Sequence, residues 1–165
     1  MHRSQQWLQF SIATLMFAVA AFAQKEHVPN RLGLSVEANQ GRQAMSFSIS
    51  TLLTRNLHDV FGENDPARRR AAIDEIFTED CVFYEPSGCV YRGRDEIDRV
   101  AARLRAMHPD FRYQPIAEPE ELGNAGRVKW VEGRSSEPPA VAGTDFIIAR
   151  DGRIAAVYLF FDMLP

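Results

Sequence analysis

The sequence predicts an α+β domain over residues 46–165, with three helices packed on one face of a mostly antiparallel sheet. Three segments carry apolar residues at every third or fourth position, which is typical of amphipathic helices. Other segments are short, rich in β-branched and aromatic residues, and joined in pairs by turn residues. Strands and helices do not alternate along the chain as βαβ units would, so a parallel α/β sheet is not expected.

The helical pattern divides into three segments. The first predicted helix covers residues 49–61 and ends at Gly62. Asp65 is the expected cap of the second helix, because Pro66 follows it at the first helical position, where proline is favoured. The third predicted helix covers residues 94–107, where a histidine and a proline stop it.

Three hairpins are predicted from the strand-like segments. The first is formed by two short runs around the turn Pro86-Ser87. The second has its turn at Gly123-Asn124, and the third has its turn at residues 150–152. In the first hairpin, pairing about a two-residue turn would place Tyr84 opposite Cys89. Cys81 would then be too far from Cys89 for a disulfide, so both cysteines are expected to be free thiols.

The composition limits the classes of function. A chain of 165 residues with 45% apolar content can bury one core, and its formal net charge is −3. This charge provides no broad positive field, so no nucleic-acid partner is expected. The basic run Arg68-Arg69-Arg70 is interpreted as a solvated helix face. No histidine or cysteine lies near the two cysteines at a spacing typical of zinc sites, so no metal is predicted.

The first 45 residues differ in character from the rest. Arg3 precedes an uncharged apolar run over residues 10–23 that ends in small residues, so residues 1–23 are predicted to be a signal peptide for export. The run is too short for stable membrane insertion. Residues 24–45 are interpreted as a linker. In the alternative interpretation translation starts at Met45, residues 1–44 are an upstream segment, and the protein is cytoplasmic.

Four stretches, in order along the chain, carry a resemblance to a known family. They are Phe77–Pro86 (FTEDCVFYEP), Tyr91–Ile97 (YRGRDEI), Gly143–Asp145 leading to Asp151–Ile154 (GTD and DGRI), and Tyr158–Asp162 (YLFFD). In these stretches the chain resembles the SnoaL-like branch of the nuclear transport factor 2-like superfamily. The resemblance implies a cone-shaped, curved sheet that encloses a pocket with its helices. It also implies a homodimer formed through the sheet and a small apolar ligand.

Glu85 is the first candidate for a catalytic role. Strand alternation places Cys81, Phe83 and Glu85 on one face, so a carboxyl group shares its side of the sheet with apolar groups. A carboxyl group in such surroundings loses hydration and can become a general acid or base. The segment DCVFYEPSG also resembles the corresponding segment of ketosteroid isomerase. This resemblance implies that Glu85 occupies the position of that enzyme's proton-shuttling aspartate. The alternative is a strand-end carboxylate in solvent.

The resemblance to ketosteroid isomerase is incomplete. Leu57 stands where that enzyme has its oxyanion tyrosine, and Val141 or Ala142 stands where it has a protonated aspartate. Steroid isomerisation is therefore not expected. Asp145 lies on the same strand face as Val141, and it could pair with Glu85 as an acid and base. In the alternative interpretation, Asp145 binds backbone amides and holds a bend at Gly143.

Eight further residues are predicted to line the ligand pocket, partly from periodicity and partly from the resemblance. They are Leu57, His58, Phe83, Val100, Leu104, Trp130, Val157 and Phe161. The predicted function is small-molecule binding, with cofactor-independent isomerase, cyclase or dehydratase chemistry by carboxyl groups. The alternative is a non-catalytic ligand-binding or dimerisation module. An enzyme is expected to bury its carboxyl groups, whereas a binding module would leave them in solvent.

Overall fold

The computed structural model describes residues 46–164. The predicted signal peptide, residues 1–23, and the linker, residues 24–45, lie outside the described residues. The described elements are, in chain order, α1 (Ile49–Arg55), a π-helix (Asn56–Phe61), α2 (Pro66–Ile76), β1 (Phe77–Tyr84), β2 (Val90–Arg92), α3 (Arg94–Met107), β3 (Arg112–Pro115), β4 (Glu120–Leu122), β5 (Ala125–Gly133), β6 (Val141–Arg150) and β7 (Arg153–Asp162).

All seven described strands form one sheet in the order β2-β1-β7-β6-β5-β3, and β4 also pairs with β5. Each neighbouring pair is antiparallel except β1 and β7, which are parallel. This arrangement confirms the predicted α+β class with a mostly antiparallel sheet. The hairpins β4–β5 and β6–β7 also confirm two of the predicted turns. Asp151 and Gly152 both have positive φ, which suits the twist of a two-residue hairpin turn.

The first hairpin has a register that differs from the prediction by one residue. Tyr84 pairs with Val90 and not with Cys89. The Glu85 amide donates a hydrogen bond to the Cys89 carbonyl at 3.0 Å, so the loop between them contains three residues, 86–88, and not two. Gly88 has φ of 88°, which suits glycine in such a loop. Both cysteines are free thiols, as predicted.

The first helix changes its winding at Asn56. Ser48 caps α1, with its hydroxyl oxygen accepting a hydrogen bond from the Thr51 amide at 3.1 Å. From Asn56 to Phe61 the helix is a π-helix, which ends before Gly62 as predicted. The wider turn buries Asn56 and Leu57 and leaves His58 exposed. Periodicity in the sequence predicted the extent of this helix but not its change of winding.

Asp65 caps α2 as predicted, and its carboxylate accepts a hydrogen bond from the Arg68 amide at 2.9 Å. The interpretation of the basic run as a solvated face is wrong for Arg69. Its side chain is only 4% exposed, and its Nε donates to Asp98 Oδ1 of α3 at 2.7 Å. The third helix packs over this part of α2, so Arg69 is an ion-pair partner in the interior.

The sheet has an inner face, which packs against the helices, and an outer face on the opposite side. Phe83 on β1, Val157 on β7 and Ile147 on β6 are adjacent in one row of the inner face, and all three are buried. In the same row, Gly126 on β5 lies against α1, since a Cβ there would be 2.4 Å from a methyl carbon of Ile49. The core therefore lies between the helices and the inner face.

Gly143 on β6 gives room to the indole ring of Trp130. A Cβ at this position would lie 2.6 Å from Trp130 Cζ2 and 2.9 Å from the backbone oxygen of Phe160. We expect Gly143→Ala to lower the free energy of unfolding by about 1–3 kcal/mol, because the ring or the strand must shift. Urea unfolding monitored by circular dichroism measures this change.

Thr144→Ala is the matched control, because Thr144 is the next residue and makes an exposed hydrogen bond to Asp162. We expect that variant to lose less than about 1 kcal/mol. Equal unfolding midpoints for Gly143→Ala and the wild-type protein would contradict the close approach of Trp130.

Candidate active site around Asp145

Asp145 lies in the middle of the sheet on its inner face. It is in β6, where it pairs with Val128 on β5 and with Leu159 on β7. Only 5% of the residue is exposed. The alternating burial along β6 places Asp145 on the same side as Ile147 and Ala149, so a carboxyl group occupies a position that would otherwise be apolar core.

Two neutral side chains donate hydrogen bonds to the Asp145 carboxylate. Asn56, the first residue of the π-helix, donates from Nδ2 to Oδ2 at 2.9 Å. Trp130, on the adjacent strand β5, donates from Nε1 to Oδ1 at 3.0 Å. Within residues 46–164, no arginine, lysine or histidine forms an ion pair with this carboxylate. Asp145 is therefore a buried acid held by uncharged donors.

These surroundings shift the pKa of Asp145 toward neutral pH. Burial raises its pKa from 3.8 to about 6, while the hydrogen bonds from Trp130 and Asn56 act in the opposite direction. A carboxyl group with such a pKa is present in both protonation states near neutral pH. It can therefore accept or release a proton, as a general acid or base must.

The alternative interpretation of Asp145, a backbone-binding residue at a bend, does not match the structure. Its described partners are the side chains of Asn56 and Trp130, and Gly143 lies within the continuous strand β6.

Glu85 follows the end of β1 and is half-buried. The hydroxyl of Tyr91 donates a hydrogen bond to Glu85 Oε2 at 3.2 Å. Since Tyr84 pairs with Tyr158, the next position along β1 lies beside Leu159, which pairs with Asp145. Glu85 and Asp145 therefore share a row, with Cα atoms about 10 Å apart across two strand spacings. The structure does not bring the two carboxyl groups into a hydrogen bond.

A third carboxyl group, that of Glu132, lies on the inner face of β5 and was not predicted from the sequence. Burial raises its pKa to about 7, against the opposing effects of Arg105 and the hydroxyl of Tyr113, its partner on β3. Arg105 Nη1 lies 3.7 Å from Glu132 Oε1, and Arg105 is only 4% exposed. The sequence pattern could have identified Glu132, because it lies two residues after Trp130 and strand alternation places both side chains on one face.

Most of the predicted pocket residues lie together on the helix side of the sheet. Five of them belong to the buried core cluster, namely Leu57, Phe83, Val100, Trp130 and Val157. Leu104 is partly buried and packs against this cluster. His58 is not brought to this interior, because its side of the π-helix faces solvent. Phe161 is 43% exposed at the end of β7 and borders a groove on the outer face.

This outer groove has a volume of about 800 Å³. Its walls combine aromatic and aliphatic side chains with a few charged groups. They are Arg127, Lys129, Thr144, Phe146, Ile148, Tyr158, Phe160, Phe161 and Asp162. Phe160 is 57% exposed, so the outer face presents aromatic surface to solvent.

The described residues contain neither a candidate metal centre nor a membrane-spanning helix. Within residues 46–164, no group of three or more histidine, cysteine, aspartate or glutamate side chains could hold a metal ion. No helix in the same part of the chain is long and apolar enough to cross a membrane.

Comparison with known families identifies the class of protein. The SnoaL-like domain model matches residues 54–157, which is more than half of the chain and includes Asn56, Glu85, Trp130 and Asp145. The chain therefore belongs to the SnoaL-like domain family. No curated protein sequence matches it.

Solved structures share this fold at low sequence identity. An isomerase candidate of the SnoaL-like family from Agrobacterium tumefaciens is 24% identical, with a TM-score of 0.65, over 70% of this chain and 97% of the other. A polyketide cyclase candidate from Sinorhizobium meliloti is 22% identical, with a TM-score of 0.53, over 72% of this chain and 100% of the other.

A third similar structure, from Catenulispora acidiphila, has a ketosteroid isomerase-like fold and was solved in complex with trimethylamine. It is 17% identical, with a TM-score of 0.55, over 68% of this chain and 85% of the other. At these identities the comparisons show a common fold of the nuclear transport factor 2-like kind, to which the sequence resemblance also pointed.

The raised pKa of Asp145 predicts a specific dependence of stability on pH. The folded protein holds this proton more tightly than the unfolded chain, so the contribution is complete below pH 4 and is lost as the pH rises toward 6. Relative to Asp145→Asn, we expect the wild-type free energy of unfolding to fall by roughly 2–3 kcal/mol from pH 4 to pH 7.

Urea unfolding of both proteins across this pH range measures the difference, and the comparison removes contributions common to both. Carbon-13 NMR of the aspartate side chains gives the titration of Asp145 directly. A midpoint near pH 4 would contradict the effect of burial.

Proposed function

We propose that this protein binds a small, largely apolar molecule on the inner side of the sheet and transfers a proton on it with Asp145, without a cofactor. The observation that carries the proposal is a carboxyl group that is buried in the core and that, among residues 46–164, is held only by the neutral donors Asn56 and Trp130. A structural aspartate is usually exposed or paired with a cation. The desolvation of Asp145 favours a role in which its charge changes.

The chemistry follows from the two protonation states of Asp145. In the ionised state the carboxylate can accept a proton from a carbon next to a carbonyl group of the ligand. In the protonated state it can return that proton to another position of the ligand. Asn56 and Trp130 stabilise the ionised state enough to keep both states accessible near neutral pH. This cycle supports isomerisation, cyclisation or dehydration.

The surroundings of Asp145 favour an apolar ligand. Leu57 and Val157 are each 1% exposed on the inner side, and Trp130 contributes an aromatic ring beside the carboxyl group. A ligand that packs against these side chains would be surrounded by apolar groups. An apolar skeleton is therefore preferred over a charged one. The names of the similar structures, an isomerase candidate and a polyketide cyclase candidate, agree with two of the proposed reaction classes, isomerisation and cyclisation.

Glu85 remains a second candidate for the acid–base role. It shares the row of Asp145 on the inner face, and the Tyr91 hydroxyl orients its carboxyl group. Its greater exposure to solvent favours Asp145 as the principal group. The two variants Asp145→Asn and Glu85→Gln separate the roles, because each replaces a carboxyl group by an amide of the same shape.

Proton exchange on a simple ketone tests this proposal. We expect the wild-type protein to accelerate deuterium incorporation into 2-tetralone in D₂O, measured by proton NMR at neutral pH. Asp145→Asn should reduce the protein-dependent rate by about 100-fold or more, because an amide cannot accept the proton. Glu85→Gln should reduce it by less than about tenfold if Asp145 is the principal group.

Thermal unfolding of both variants controls for loss of folding. A folded Asp145→Asn variant with the wild-type exchange rate would refute the role of Asp145. A larger loss in Glu85→Gln than in Asp145→Asn would transfer the principal role to Glu85. Exchange at the buffer rate with the wild-type protein would favour the non-catalytic alternative.

The outer groove favours a second function, dimerisation through the sheet. Phe160 and Phe161 expose aromatic surface there, which in a soluble protein is typical of an interaction site. The groove also contains both signs of charge, with Lys129 and Asp162 among its walls. A two-fold axis through the groove could place these opposite charges of two copies against each other.

Phe160→Lys tests this dimer, because a charge on the wall of the groove would oppose its burial. We expect the wild-type protein to sediment as a dimer in analytical ultracentrifugation and the variant to shift toward monomer. Leu122→Lys is the control, since Leu122 is 84% exposed on β4 and does not border the groove. A wild-type monomer, or equal behaviour of both variants, would contradict dimerisation through this face.

A further inference from the structure

The amide of Asn56 has one satisfied end and one unsatisfied end. The residue is fully buried, and its Nδ2 donates to Asp145 Oδ2 at 2.9 Å. Its Oδ1 is also buried but accepts no hydrogen bond from the described residues. In the described part of the chain, the only other buried side-chain atom without a partner is Thr78 Oγ1.

The orientation of this amide is determined by its neighbour. An ionised carboxylate only accepts hydrogen bonds, so the nitrogen of Asn56 must point toward Asp145 and the oxygen must point away from it. A hydroxyl such as that of Thr78 can rotate to find a partner, but a fixed amide oxygen cannot. The unsatisfied acceptor is therefore a consequence of how Asn56 holds the acid.

An unsatisfied acceptor in this position is costly for folding. Leaving a buried amide oxygen without a donor destabilises the folded state, and most buried polar groups in proteins have a partner. Asn56 is also the first residue of the π-helix, and irregular turns of this kind are frequent at functional sites. Both features are explained if a bound molecule supplies the missing donor.

We propose that Asn56 Oδ1 accepts a hydrogen bond from a hydroxyl group of the ligand, so the site selects apolar molecules that carry a hydroxyl group within reach of Asp145. The inference rests on the proposed ligand site and specifies the ligand class. An ether or a simple hydrocarbon of the same shape would leave Oδ1 buried and unpaired. Sites that hydrogen-bond a substrate hydroxyl reject analogues that lack it for this reason.

A pair of non-reacting probes tests the selection. 2-Naphthol is an apolar bicyclic molecule with one hydroxyl group, and 2-methoxynaphthalene differs by a methyl group that removes the donor. Isothermal titration calorimetry with the full chain at pH 7.5, where Asp145 is mainly ionised, measures both affinities. We expect the naphthol to bind at least about tenfold more tightly.

Two variants of nearly the same size as the wild-type side chain assign the preference to Asn56. Asn56→Leu removes the acceptor and should bring the two affinities within about threefold of each other. In Asn56→Asp, one proton shared with Asp145 replaces the amide donor, because two carboxyl groups in contact cannot both ionise. The other oxygen at position 56 still faces the ligand as an acceptor, so this variant should keep the preference. The wild-type comparison does not depend on either variant, so a failure of Asn56→Leu to fold leaves the test intact.

Equal binding of the two probes by the wild-type protein, or binding of neither, would overturn the inference. An unchanged preference in folded Asn56→Leu would overturn it as well. These outcomes differ from failure of the proposed catalysis, because removal of a proton from 2-tetralone depends on Asp145, whereas the preference between the probes depends on Asn56. 2-Tetralone carries a hydroxyl group only after it enolises, so the selection acts on its enol and not on the ketone. A protein that prefers naphthol but does not exchange 2-tetralone would be a hydroxyl-selective binding protein.

Discussion

The hydrogen bonds from Asn56 and Trp130 to Asp145 are the interaction on which the interior depends. They join the π-helix, β5 and β6 at one carboxyl group, so three elements must be in register for the acid to keep its partners. Without these donors a buried carboxylate would be strongly disfavoured, and the residue would be neutral or would move toward solvent. Gly143 belongs to the same arrangement, because its missing side chain lets the indole ring approach β6.

The sequence was sufficient for the helices, the strands and the class of fold, because their signals are local. The bounds of the third helix, 94–107, are those predicted, and Asp65 with Pro66 marked the start of the second. The π-helix and the extra loop residue Gly88 were not predicted. Periodicity cannot separate a π turn from an α turn over six residues, and the conformation of one glycine decides the loop length.

The site was predicted only in part, because it depends on contacts between distant residues. Alternation identified Asp145 and its face, yet its donor Asn56 lies 89 residues earlier in the chain. Glu132 lies outside the four stretches that carry the family resemblance, and it was not predicted. The resemblance to ketosteroid isomerase directed attention to Glu85, whereas burial and hydrogen bonding distinguish Asp145. The resemblance therefore pointed to the inner face of the sheet, and the choice of Asp145 as the proposed acid rests on the structure.

The parallel pairing of β1 with β7 also has a consequence for how the chain acquires its structure during synthesis. The pair Phe83 and Val157 joins positions 74 residues apart, and β7 is the last strand of the described chain. Until β7 has left the ribosome and joined the sheet, β1 and β6 each lack a partner on the side that β7 occupies. Such edges can pair with other chains, so the incomplete fold is prone to aggregation until the last described strand is in place.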